Sequence, residues 1–182
     1  MNITVIGRGN VGGGLARLWR AAGHEVQELG RDGGDASTAD VLLVAVPSLE
    51  IANALGAVTG IEGKVTIDAT NAFRGRNEDF ESNAHEVKSI VGGPTAKSFN
   101  LNFANVYDEI AAQRVRPSNI YCAEVGAREV TEQLIRDAGY DPVDAGGLDN
   151  ARAMEDSLAL LFAVREAGPG PFFYRYAGPG EL

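Results

Sequence analysis

Five glycines fall within eight residues near the start of this chain: Gly7, Gly9, Gly12, Gly13 and Gly14. Glycine loses more conformational freedom on folding than any other residue, so a cluster this dense implies backbone that something must approach closely. The run before it, "NITVIG" (Asn2 to Gly7), is rich in β-branched residues. After it Val11, Leu15, Leu18, Trp19 and Ala22 recur at helical spacing until Gly23. This reads as strand, turn and helix, the setting in which the G-x-G-x-x-G spacing of Gly7, Gly9 and Gly12 carries meaning. Gly7 permits the tight turn, Gly9 lets a pyrophosphate approach the backbone, and Gly12 lets the helix pack on the strand, while free N–H groups at the helix start hold the anion. The turn is therefore expected to bind a dinucleotide. Gly13 and Gly14 exceed the pattern and suggest only close packing.

The rest of the chain sets that turn in a larger pattern. "HEVQEL" (His24 to Leu29) predicts a second strand, and "VLLVAV" (Val41 to Val46) is continuously apolar, as a parallel strand covered on both faces must be. Between them, from Arg31, stands only "RDGGDASTAD", too short for the helix and further strand usual at this point of a doubly wound half. Extended at roughly 3.3 Å per residue, it can still cross back over the sheet. The outer strand after the second strand is therefore expected to be missing. Downstream the pattern predicts a helix over Leu49 to Thr59, a strand in "KVTIDATN" (Lys64 to Asn71), and a polar, mobile stretch "FRGRNEDFES". A helix capped by Ser82 then runs to Val91, followed by strand "TAKSFN" (Thr95 to Asn100) and a helix from Phe103 to Gln113. Strand "NIYCA", helix Ala127 to Ala138, strand "DPVDA", a helix from Leu148 to Ala167 and a short edge strand in "FFYRY" with a frayed end complete the series. Strands alternating with helices predict an α/β fold with a doubly wound, mostly parallel sheet, and 182 residues suit one domain, residues 1–182.

A net charge of −9 argues against nucleic acid or an anionic membrane surface as a partner, so any anionic ligand must be bound locally. No apolar run approaches the ~20 residues needed to span a bilayer, and strand-like sequence begins at Asn2, so the expected location is cytoplasmic. The single cysteine, Cys122, lies in apolar "NIYCAEV" and reads as a core thiol. His24 follows the helix-ending Gly23, where it suits the helix dipole, and His85 reads as a helix-surface residue. Two isolated histidines without clustered acids or thiols give no metal site.

The end of the second strand bears on which dinucleotide binds. An acid roughly 20 residues past the last motif glycine marks NAD by holding the ribose 2′-hydroxyl. Gly30 occupies that place here, with Arg31 beside it. A guanidinium fork suits a 2′-phosphate, which favours NADP(H); Asp32 would speak for NAD if the register shifted by a residue or two. "AVPS" (Ala45 to Ser48) ends a central strand across from the glycine turn, where it should line the nicotinamide ribose, and "DATN" (Asp68 to Asn71) ends the neighbouring strand, offering Thr70 and Asn71 as polar contacts.

"VIGRGNVGGGLARLWRAAGHEV", "LLVAVP", "KVTIDATN", "AKSFN" and "LIRDAGYDPVDAGGLDNAR", followed by Glu155 three residues after that last arginine, stand in one order that resembles the NADPH-dependent deazaflavin (coenzyme F-420) reductases and their dinucleotide-binding relatives. The resemblance covers nearly the whole chain, and "DAGGLDNAR" after a strand is its most specific part. It implies a Rossmann-type domain with a small C-terminal helical lobe (residues 146–182), a homodimer, and hydride transfer between NADP(H) and a small-molecule planar acceptor, a deazaflavin or a flavin. By position it assigns NADP(H) contacts to Arg8, Gly9, Asn10 and Val11, beside the motif's Gly7 and Gly12, to Arg31, and to Val46, Pro47 and Ser48. It places Asn100 beside the nicotinamide and acceptor, with Asn71 as the other substrate-binding candidate. Hydride passes directly between two rings in such chemistry, so positioning matters most and no catalytic acid or base is assigned. Gly30 departs from the family's small hydroxyl residue, and Arg74, Arg76, Arg114 and Arg116 are the local cations that could serve an anionic acceptor.

Strand alternation puts Lys97 and Phe99 on one face of "TAKSFN" and Ser98 and Asn100 on the other, which favours Asn100 for the cleft and makes Lys97 a charged edge residue; its other reading is an anion-binding or proton-donating group. Glu155 shares the inward face of the last helix, where a buried carboxylate would need a partner such as Arg152 or a backbone amide; its other reading, the commoner for such a glutamate, is a place in water at the edge of the apolar stripe. Two other functions fit the same nucleotide site. One is dehydrogenation of a hydroxy acid or imine, which uses a large helical domain with a catalytic lysine or acid. The other is non-catalytic NADP(H) binding or sensing.

Overall fold

The computed structural model describes residues 1–168 and 170–180. Its first elements are β1 (Asn2–Ile6), α1 (Asn10–Ala21) and β2 (Glu25–Leu29), the expected strand, helix and strand. β3 (Gly34–Asp35), β4 (Val41–Val44), α2 (Ile51–Gly56), β5 (Val58–Thr59) and β6 (Val65–Asp68) follow. α3 (Asn83–Val91), β7 (Thr95–Ser98), β8 (Ser118–Ala123), α4 (Val125–Asp137), β9 (Asp141–Asp144) and α5 (Ala151–Ala167) complete the chain. Seven strands form one sheet in the order β2-β1-β4-β6-β7-β8-β9. All neighbours are parallel except β7 and β8, so the sheet is mostly parallel, with helices on both faces. The antiparallel step from β7 to β8 had no signature in the sequence.

The outer strand is absent, as the ten-residue spacing required. β2 is the sheet edge, with Glu25 and Gln27 turned to solvent. The connection instead pairs β3 with β5 in a separate two-stranded sheet, Gly34 opposite Val58 and Asp35 opposite Thr59. Lys64 Nζ holds it down by donating to the Ser37 and Ala39 carbonyls, both at 2.7 Å. The helix expected through Thr59 therefore stops at Gly56, because Val58 and Thr59 are taken into β5.

β4 has all four residues buried, which is why it reads as an unbroken apolar run. On one face of the sheet Leu15 and Trp19 of α1 meet Leu134 of α4 and Tyr107. Trp19 Nε1 donates to the Leu134 carbonyl at 2.9 Å, and its ring meets Phe99 edge-on at 5.7 Å. On the other face α2 and α3 cover β4 through Ile51, Leu55, Val87 and Val91, and α5 packs Met154 and Leu158 near Cys122. Residues Ala104–Ala112 are a 3-10 helix rather than the expected α-helix. Its buried residues, Tyr107 and Ile110, are three apart, the spacing that aligns side chains at three residues per turn.

Ser82 caps α3 by accepting from the His85 backbone N–H, as its place in the sequence suggested. His85 also bonds the Ser82 hydroxyl through Nδ1 at 2.8 Å, so it belongs to the cap. The "FFYRY" tail forms no strand. Ser118 N–H donates to the Tyr174 carbonyl at 2.8 Å and Tyr176 N–H to Ser118 Oγ at 2.9 Å, docking the tail at the start of β8 without a ladder. The far end of the expected fraying, residues 181–182, lies outside the described residues.

Candidate functional site

The C-terminal ends of β1, β2, β4 and β6 open into one cleft of about 1600 Å³. It lies where the strand order reverses between β1 and β4, the usual place for a ligand in an open α/β sheet. The three motif glycines differ in what a side chain at each would meet. Gly7 has φ +114°, and a Cβ there would stand 2.3 Å from the Ala45 carbonyl oxygen. A Cβ on Gly12 would stand 2.0 Å from the Gly7 carbonyl oxygen, so the helix can press onto the turn only with glycine here. A Cβ on Gly9 meets nothing within 4 Å; it would project into open space, the room a pyrophosphate needs. Gly9 caps α1 without a side-chain acceptor and the first turn carries no acid, so the leading N–H groups remain free for an anion. Gly14 also gains a reason, since a Cβ there would lie 2.6 Å from the Tyr107 ring, while Gly13 meets only ordinary contacts.

Among the residues expected at the site, Gly7, Arg8, Gly9, Val11, Arg31, Val46, Pro47, Ser48 and Asn71 line the cleft. Asn10 is the exposed first residue of α1 and Gly12 stands behind the turn; neither is among the lining residues. Arg8 folds back over the end of β2, its Nε and Nη2 donating to the Glu28 carbonyl at 3.3 and 3.0 Å. A Cβ on Gly30 would lie 3.4 Å from the Arg8 guanidinium, so glycine at this position leaves Arg8 room beside Arg31. Arg31 is exposed and has no hydrogen-bond or ion-pair partner among the described residues. Asp32 is not among the lining residues, and the Glu28 side chain is engaged by Arg20 at 2.7 Å. Three guanidinium groups, those of Arg8, Arg31 and Arg74, line the cleft against the single carboxylate of Glu50 among its described lining residues.

At the other end Asn71 and Asn100 hold each other. Asn71 Nδ2 donates to the Asn100 carbonyl at 2.9 Å, and Asn100 Nδ2 donates to Asn71 Oδ1 at 3.2 Å and to the Met154 carbonyl at 3.3 Å. Asn71 lines the cleft and Asn100 is buried beside it, turned to Met154 of α5 rather than to the face that strict alternation would give it. The reason is a break in strand alternation. Phe99 adopts φ +62°, a left-handed conformation, and turns its ring onto Trp19. It therefore leaves the Lys97 face on which strict alternation would put it. Ser48 is buried, and its hydroxyl donates to the Gly75 carbonyl at 2.6 Å, which ties the loop after Asn71 to the cleft.

Lys97 is the largest departure from expectation. β7 is an interior strand, and the Lys97 side chain is fully buried rather than a charged edge residue. Its Nζ donates to Asp68 Oδ2 at 2.7 Å, to the Thr70 carbonyl at 2.7 Å and to Glu155 Oε1 at 3.0 Å. All three N–H groups of the ammonium are used, so it is not a free proton donor or anion ligand. Glu155 is buried too, and it takes Arg76 Nη1 at 2.8 Å and the Asn83 backbone N–H at 2.9 Å as further partners. A backbone amide was foreseen; Arg152 was not the partner, since it reaches Asp156 and the Glu81 carbonyl instead. Burial pushes the Glu155 carboxyl above its ordinary value against the pull of Lys97. Arg76 is thus committed to an ion pair, while Arg74 is exposed at the cleft without a partner among the described residues. Arg114 and Arg116 are exposed and are not among the cleft's lining residues. The signal for the buried lysine was its place mid-way along a strand with strands predicted on either side.

No family model and no curated protein matches this chain. Solved structures do. A protein of Arthrobacter sp. FB24, described provisionally as an F420-dependent NADP reductase, superposes with a TM-score of 0.82 at 20% identity over 97% of this chain and 99% of its own. A hypothetical protein of Sinorhizobium meliloti, SMa0349, gives 0.66 at 24% identity over 81% of this chain and 86% of its own. An imine reductase from Pseudomonas sp. gives 0.68 at 15% identity, and this chain, covered over 91%, spans 62% of that protein's length. These likenesses establish the doubly wound α/β fold. Among the described residues no helix is long and apolar enough to cross a membrane.

Proposed function

We propose that this chain is an NADP(H)-dependent oxidoreductase that passes hydride between the nicotinamide and a small planar redox acceptor, a deazaflavin or flavin. The observation that carries the reading is the charge of the cleft: a chain of net charge −9 sets the guanidinium groups of Arg8, Arg31 and Arg74 along it. That local reversal favours an anionic ligand. The open space over Gly9 and the free start of α1 suit a pyrophosphate, and Arg31 with Arg8 at the end of β2 suits a 2′-phosphate better than a free ribose hydroxyl. When bound, NADP(H) supplies the hydride. The chain's own residues orient it: Val46 and Pro47 form the apolar wall across from the glycine turn, and Asn71, fixed by Asn100, offers an amide at the acceptor end. Residues 1–182 act as one nucleotide-binding domain, in which Met154 and Glu155 of α5 back that end.

The described NADP reductase of Arthrobacter and the imine reductases, one of them crystallised with NADPH4, support the cofactor class. Imine or hydroxy-acid chemistry is the weaker reading. This chain spans 62% of the imine reductase, and its one lysine near the site has all three N–H groups engaged. The test is oxidation of NADPH, followed at its absorbance band, with a deazaflavin, a flavin and a quinone in parallel. Turnover with the deazaflavin or flavin is the expected result. Tight NADPH binding without turnover on any acceptor would replace this reading with that of a nucleotide sensor.

A further inference from the structure

The buried charges behind Asn71 are used by no step above, yet they are costly: taking ions out of water is unfavourable, and an apolar cluster of equal volume would pack as well. What charges add is direction. Glu155 collects donors from three separate elements, Lys97 of β7, Asn83 at the start of α3, and Arg76 of the strap that joins β6 to α3. Arg76 reaches on to Asp156, and its side chain is nine-tenths buried although it belongs to a loop. Three residues earlier in that loop, Phe73 is 63% exposed at the cleft, and beside it Arg74 is unpaired. Two further contacts fix the strap: Ser48 Oγ donates to the Gly75 carbonyl, and the Phe73 ring meets Phe162 of α5 edge-on at 5.1 Å. The neighbouring carbonyl on α5, that of Met154, accepts from Asn100 and so steadies Asn71. One turn of α5 thus fixes both walls of the acceptor end.

We propose that Glu155 and Arg76 are positioning residues: their buried ion pair latches the strap so that Phe73 and Arg74 form the rim against which the acceptor is seated. The inference rests on the function proposed above for the choice of ligand, but the latch is a property of the chain alone. Arg76→Ala is the informative variant, because Glu155 keeps Lys97 and the Asn83 amide as partners and the fold retains its buried balance. Glu155→Ala, by contrast, leaves Arg76 and Lys97 short of a counter-charge and endangers folding.

The experiment compares wild type, Arg76→Ala and Arg76→Lys by amide hydrogen exchange over residues 72–80, NADPH titration, and acceptor kinetics. In Arg76→Ala, strap exchange rises by about tenfold or more as local opening becomes easier. The NADPH Kd stays within about twofold, while KM for the acceptor rises and kcat falls, together by about tenfold or more in kcat/KM. Arg76→Lys, which keeps the charge but loses the fork, recovers part of both. Strap exchange equal to wild type overturns the latch whatever the nucleotide does. A freed strap with wild-type acceptor kinetics overturns the positioning role. An NADPH Kd that rises in step with the loss of acceptor kcat/KM overturns it as well. If the wild type turns over no acceptor, the functional reading fails separately, and iodide quenching of bound NADPH decides the rim: a released strap must expose the nicotinamide more than wild type does.

Discussion

Replacing Lys97 by methionine keeps most of the volume and stem length but removes the ammonium from a place where it is fully buried. The two carboxylates suffer unequally. Glu155 keeps Arg76 and the Asn83 amide, whereas Asp68 is left with only the Thr70 backbone N–H at 2.9 Å. Removing one partner of a buried ion pair costs about 3–5 kcal/mol, because the other charge stays desolvated without compensation. For a chain of this length each kcal/mol moves the melting temperature by about 2–4 °C, so Lys97→Met should lower it by about 6–20 °C. Urea unfolding followed by circular dichroism gives the free energy directly. The double variant Lys97→Met, Asp68→Asn should recover part of the loss, since the orphaned charge is then gone. A Lys97→Met loss below about 1 kcal/mol, the range of an exposed ion pair, would refute the view that this lysine holds the ends of β6 and β7 together.

Gly9→Ser should leave stability unchanged or a few tenths of a kcal/mol higher, because serine is a good N-cap, yet weaken NADPH by about tenfold or more as it fills the open space and occupies an amide. Gly7→Ala should do the reverse and unfold the chain more easily, by more than about 1 kcal/mol, since φ +114° and the Ala45 carbonyl both forbid a Cβ; chemical denaturation separates the two variants. Burial raises the Glu86 carboxyl above its ordinary value, so its charged form is disfavoured in the fold and its penalty is present at neutral pH. Glu86→Gln should therefore raise the melting temperature at pH 7, and the difference should vanish as the pH falls below the ordinary carboxylate range. Cys122 is buried with its thiol pushed up to about 11, and in native protein it should resist a thiol reagent that labels it promptly in urea.

The glycine turn and the strands beside it were legible because their signals are local. The spacing of Gly7, Gly9 and Gly12 lies within six residues, and the unbroken apolar run of β4 reports burial on both faces without knowledge of any partner. The missing outer strand followed from simple length. The far end of the cleft was not legible because its geometry is assembled from a distance. Lys97 meets Asp68 across 29 residues and Glu155 across 58, and no periodicity in "TAKSFN" shows that carboxylates will arrive on both sides. Alternation also failed at one residue: the left-handed φ of Phe99 changes which face it occupies, and a non-glycine residue gives no warning of that. Gly14 shows the same limit in reverse, since its reason, the Tyr107 ring, lies far along the chain.

The most direct test is a paired titration of NADPH and NADH on wild type and Arg31→Ala. A phosphate held by guanidinium is worth about 1.5–3 kcal/mol, so wild type should prefer NADPH by about tenfold or more, and Arg31→Ala should lose most of that preference with little change for NADH. Equal affinities in the wild type, or an Arg31→Ala that weakens both nucleotides alike, would contradict a 2′-phosphate site at the end of β2. No binding of either nucleotide would contradict the assignment of the cleft itself.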